Sequence, residues 1–158
     1  MVAMVKWAAL GAAMAIAGGL CGAAALAQDV ATVEGRQAVM KSQGKDMAAV
    51  KAFIDDKADL AAAQAAGADL VTQVAKIPTL FPKGSGMAEF PGKSYAKPAV
   101  WTDWDKFLVS AKTAASKSEA LNAALKGGDK AAITAAFGDM GKNGCGACHE
   151  PFREKKPS

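Results

Sequence analysis

Val33, Met40, Met47 and Ile54 recur every seven residues, with Val50 filling the seam between them. That spacing predicts one apolar face along a long first helix. Ala and Leu dominate a second helical segment, from about Lys57 to Lys76, and Pro78 is expected to end it. Its inner face is weakly drawn, because Ala occurs on every side. The stretch "PTLFPKGSGMAEFPGKSYAKP", Pro78 to Pro98, holds four prolines and three glycines and predicts a loop without regular helix or strand. Pro98 suits the first turn of a third helix. Trp101, Trp104, Leu108 and Ala111 then follow at three- and four-residue spacing, and Leu121 and Leu125 continue the stripe. Gly127-Gly128 stops this helix, and Asp129 is a natural N-cap for a fourth, with Ile133, Ala136, Phe137 and Met140 as its inner face. No segment alternates like a strand, and no repeat of 20 to 50 residues occurs. The prediction is an all-α, up-down four-helix bundle with two short links and one long one.

Composition agrees with helix: Ala, Gly and Met are abundant, aromatics are 6% of the chain, and β-branched runs are nearly absent. A length of 158 residues suits one domain with one core. The first 27 residues, however, read as a cleaved export signal. Lys6 supplies a basic start, an apolar stretch follows, and Ala25-Leu26-Ala27 satisfies the small-x-small rule, so the mature domain spans residues 28–158. The competing reading is a membrane anchor, but several glycines interrupt the apolar run and it ends in a cleavage site. Cys21 belongs to this leader, and Leu20 before it does not suit a lipoprotein signal. Loss of Lys6 leaves 18 of the 19 basic side chains against 15 acidic ones, a net charge of +3. Basic and acidic residues are interspersed and no basic run carries aromatics, which argues against a nucleic-acid binder.

The candidate chemistry sits near the end, in "NGCGACHEPFREK", Asn143 to Lys155. Cys145-Gly146-Ala147-Cys148-His149 is the C-x-x-C-H pattern of c-type haem attachment, and it holds the only histidine of the chain. Two thiols must reach the two vinyl groups of one porphyrin, and the adjacent imidazole must face the iron. On a helix, positions 145, 148 and 149 project from one face. A disulfide there would close a two-residue loop and staple almost nothing. A thioredoxin-like pair wants a βαβ context, and structural zinc wants four protein ligands. Haem c, one per chain, with Cys145 and Cys148 as thioether anchors and His149 as proximal iron ligand, is the reading that remains. A single histidine also excludes bis-histidine ligation.

Attachment near the C-terminus, combined with four helices, resembles the class II c-type cytochromes: cytochrome c-prime and its low-spin relatives, cytochrome c-556. "KNGCGACHEPFREK" is similar to that family's C-x-x-C-H-x-x-[FY]-[RK] ending, "LFPKGSG" to its loop after the second helix, "KPAVWTDWDKF" to the start of its third, and "GRQAVMKSQGKDM" to its first-helix segment. The resemblance covers essentially the whole mature chain. It implies that Arg36 sits beside a haem propionate, that Met40 lies over the open face of the haem, and that Arg153 lies near the imidazole and the haem edge. It implies that Trp101 and Phe152 pack around the porphyrin, although plain core explains both. It also implies a bacterial periplasm, a redox partner protein, and a monomer or a homodimer formed through the first two helices. Pro151, two residues after the histidine, departs from the pattern and points to a kink or an end of the helix near Cys148.

Met40 decides between two functions. A thioether bound to iron gives a low-spin Met/His site of raised potential, suited to electron transfer; the segment "RQAVMKSQGKDM" resembles the c-556 branch that works this way. A Met40 that only packs leaves a five-coordinate, high-spin haem for nitric oxide or carbon monoxide. Met47, Met87 and Met140 are rival sulfurs, of which Met47 and Met140 also suit bundle core. An enzyme is a distant third, since no second histidine or paired carboxylates are present for acid–base work.

Overall fold

The computed structural model describes residues 20–155. The leader expected over residues 1–27 lies largely outside the described residues. Six α-helices run α1 (Leu20–Ile54), α2 (Leu60–Val74), α3 (Ala99–Thr102), α4 (Trp104–Gly127), α5 (Lys130–Asp139) and α6 (Ala147–Phe152). A π-helical turn, Met140–Gly146, joins α5 to α6, and a short 3-10 helix, Ile77–Leu80, follows α2. Helix α1 packs on α2, α2 on α4, α4 on α5 and α5 back on α1, which closes a four-helix bundle whose fourth member is α5 extended through the π turn into α6. Among the described residues no helix is long and apolar enough to cross a membrane.

Two of the predicted helix starts have a side-chain cap. Asp59 accepts from the Ala62 amide to open α2, and Asp129 accepts from the Ala131 amide to open α5. Helix α4 ends on Gly128, whose amide donates to the carbonyls of Ala124 and Leu125. Val33 and Val50 of α1 are fully buried, while Met40, Met47 and Ile54 are half-buried against the core.

Three expectations require correction. The third helix is broken: Asp103 leaves helical geometry (φ −116°, ψ 44°) and separates the short α3 from α4. The new register turns Phe107 into the core and leaves Leu108 only half-buried. The loop from Pro78 is not free of helix, because Pro78 occupies the first turn of the 3-10 segment, where its missing amide costs nothing. Of the kink or end expected from Pro151 near Cys148, the end does not occur. The chain stays helical to Phe152, and both Pro151 and Ala147, whose carbonyl loses its amide partner, are exposed to water.

The long connection between α2 and α3 is pinned where it approaches α3. Lys97 donates its amide to the Phe152 carbonyl and Glu154 donates to the Tyr95 carbonyl, forming a bridge between Ala96 and Arg153. Beside it, the Met87 amide donates to the Ala96 carbonyl. These bonds close the connection over one end of the bundle.

Candidate functional site

That end of the bundle contains a cavity of about 320 Å³. Cys145, Cys148 and His149 form one part of its wall, from the π turn and α6, and Arg36, Gln37, Met40 and Gln43 form another, from α1. Val74, Ile77, Phe81, Val100, Phe107 and Phe152 supply apolar surface. Arg153 reaches it from the exposed C-terminal segment. The π turn is built from "MGKNGCG", in which glycines allow the wider helix. Its register matters: the Ala147 amide donates to Lys142, five residues back, so the segment enters α6 one residue out of α-helical step. Met140 is almost completely buried, with its sulfur 2.8 Å from where Gly144 would carry a Cβ, so any larger residue at 144 would push it away.

Electrostatics at the site follow from burial. Both cysteines are free thiols. Desolvation raises both thiol pKa values, that of Cys148 to about 11 with Cys145 adding to it. They are therefore neutral thiols near pH 7. The His149 imidazole is shifted the other way, to lower pKa, first by burial and then by the Arg153 charge. It is held neutral, with a lone pair available.

Arg36 has a role that the sequence did not reveal. It is 5% exposed, yet no carboxylate lies within ion-pair distance among the described residues. One terminal nitrogen donates to Ser85 Oγ (2.9 Å) and to the Leu80 carbonyl (3.3 Å). The other donates to the Ser85 carbonyl (2.8 Å) and to Ser94 Oγ (3.0 Å). Its guanidinium also stacks on Phe81, 4.5 Å from the ring centre. Four of five donors are thus spent on the loop, which leaves Nε–H. Burial without a counter-charge pushes its pKa down to about 10.

The other expected residues are distributed as follows. Met40 and Phe152 line the cavity, and so does Met140 among the rival sulfurs; Met47 and Met87 do not. Trp101 does not line it either: its indole N–H donates to the carbonyls of Phe81 and Pro82, which turns the ring onto the loop beside Gly86. Phe107, which the sequence did not single out, stands in the wall with Phe81 and Phe152, edge-on to them at 4.8 and 5.4 Å. A signal for Phe107 was present, three residues after Trp104 and four before Ala111, but the break at Asp103 that selects it was not. Ser85 and Ser94 had no readable signal, because loop residues acquire partners only through the fold.

A sequence profile described as Cytochrome C' matches residues 31–153. Cytochrome c-556 of Agrobacterium tumefaciens (strain II Chrys) is 34% identical over 126 residues, covering 78% of this chain and 98% of its own length. Cytochrome c' of Rubrivivax gelatinosus is 38% identical over 125 residues, 78% of this chain and 94% of its own. The chain belongs to the cytochrome c' family. In three dimensions this cytochrome is similar to a nitric oxide complex of a cytochrome c prime variant from Alcaligenes xylosoxidans, with a TM-score of 0.69, 27% identity, and coverage of 78% and 94% of the two chains. Haem c is the cofactor of such proteins, and the site fits it. Two thiols and a neutral imidazole share one wall, the lining is largely apolar, and the unpaired Arg36 charge, with one N–H unspent, suits an anionic edge.

Proposed function

We propose that this cytochrome is an exported, periplasmic electron carrier, in which Cys145 and Cys148 would anchor haem and His149 and Met40 would hold its iron. The observation that carries the reading concerns the sulfurs. Of the four methionines considered, only Met40 and Met140 line the cavity, and Met140 packs on the attachment segment itself, against Gly144. Met40 is the thioether that approaches from α1, away from the thiols and His149. Haem supplies reversible one-electron exchange between ferric and ferrous iron.

The chain's own residues tune and protect that exchange. Both side chains that would hold the iron are neutral, since burial and Arg153 keep His149 unprotonated and a thioether carries no proton. Thioether ligation raises the reduction potential. The buried Arg36 charge favours the less positive iron state, and the Val, Ile and Phe walls exclude the water that would screen it. Lys41 and Arg153, exposed at the cavity, give a redox partner protein a cationic contact. No enzymatic turnover is assigned, because the one histidine is committed to iron.

A second reading is supported by the nitric oxide complex of the Alcaligenes xylosoxidans relative. If Met40 only packs, the iron is five-coordinate and the cavity takes nitric oxide or carbon monoxide. Potentiometric titration separates the two. Met40→Ala should lower the midpoint potential markedly, and an unchanged midpoint would rule out the sulfur as a ligand.

A further inference from the structure

Gln43 follows Met40 by three residues on α1 and lines the same cavity. Its amide Nε2 is buried and donates to no acceptor. The other unpartnered buried side-chain atoms among the described residues, Gln73 Oε1 and Asn122 Oδ1, are acceptors; Gln43 holds the leftover donor. Buried donors without an acceptor are rare in native proteins, so such a group in a cavity wall points at what the cavity receives. The neighbouring Gln37 amide offers a contrast, because it is spent on the Lys93 carbonyl.

The position along α1 says which acceptor it meets. At 1.5 Å rise per residue, Gln43 lies about 4.5 Å along the axis from Met40 and about 10 Å from Arg36. Carboxylates in the cavity belong at the cationic end, with Arg36 and Arg153. Lys41 is exposed and solvated. An uncharged amide beside Met40 suits an uncharged acceptor on the α1 side of the iron. We infer that Gln43 is a distal hydrogen-bond donor to a small iron ligand ending in oxygen, of the nitric oxide or dioxygen kind, taken up on the α1 side of the cavity. The inference rests on the haem placement proposed above, but not on whether Met40 binds iron. It adds a polar selector to an otherwise apolar site, favouring oxygen-ended ligands over carbon monoxide, a poor acceptor.

The test uses the haem-loaded protein in a Met40→Ala background, where the position is open whether or not the sulfur ligates in the parent chain. Infrared spectra of the ferrous carbon monoxide complex are compared for Met40→Ala and Met40→Ala/Gln43→Leu, together with nitric oxide dissociation rates. Loss of the donor should move the C–O stretch to higher frequency and speed nitric oxide release roughly 2- to 12-fold. Gln43→Met in the same background keeps the length of the side chain and removes the donor, so it should move the stretch about as far in the same direction. An unshifted stretch with unchanged release in both variants overturns the inference. Failure of Met40 ligation would appear separately, as a high-spin spectrum of the parent protein.

Discussion

At one end of the bundle Leu70, Leu121, Leu125 and Ile133 are fully buried, and Leu125 lies so close to Gly67 that any side chain at 67 would collide with it. At the other end Met40, Met140, Phe107 and Phe152 surround a cavity of about 320 Å³, and a buried arginine has no acidic partner among the described residues. The first end is complete in itself, since apolar side chains supply each other's contacts. The second is left with an apolar void, two free thiols and a buried charge, which suit the haem that this family carries. Close packing and an uncompensated cation in one small domain show that the void is a site and not a packing fault.

The comparison can be broken at the packed end first. Leu125→Ala should cost about 2–5 kcal/mol in denaturant unfolding, because it removes a fully buried side chain from a region that cannot collapse. The haem spectrum should stay unchanged. A spectral change would mean that the two ends are not independent.

At the cavity end, the thiols of the haem-free chain should resist alkylation. With its pKa raised from the ordinary 9.0 to about 11, Cys148 should hold roughly 100-fold less thiolate than a free cysteine at pH 8. The rate should therefore keep rising with pH well past the midpoint of an exposed thiol. A midpoint near the ordinary value would mean that this end of the bundle is open to water.

A smaller effect sharpens the role of Arg36. Arg36→Met keeps the apolar stem and removes four hydrogen bonds to the loop. It should cost about 1–3 kcal/mol through the partners left unsatisfied. Hydrogen exchange should quicken at Met87 and Ser94, whose amides bond within the loop. Unchanged protection there would show that the bridge between Ala96 and Arg153 holds the loop alone.

The packed end was largely legible in the sequence. Local chemistry fixes its landmarks: Asp129 caps a helix through its own side chain, and Val50, Leu121 and Leu125 lie on helical faces whatever the tertiary context. The attachment motif was legible for the same reason, as a local spacing along five residues, although the π turn that carries Cys145 was not. The remainder of the site was not. Arg36 finds Ser85 and Ser94 across 49 and 58 residues of chain. Trp101 is drawn off by loop carbonyls, and Phe107 enters the wall because the chain breaks at Asp103. Non-local partners decide such residues, and periodicity carries no information about them.

The most direct test of the electron-carrier account is the absorption spectrum of the purified protein, reduced and then reduced under carbon monoxide, for the parent chain and Met40→Ala. The account predicts a sharp α band in the parent that carbon monoxide barely alters, and its loss in Met40→Ala. A broad high-spin spectrum in the parent that sharpens under carbon monoxide would contradict it, leaving Met40 as a wall of a gas pocket.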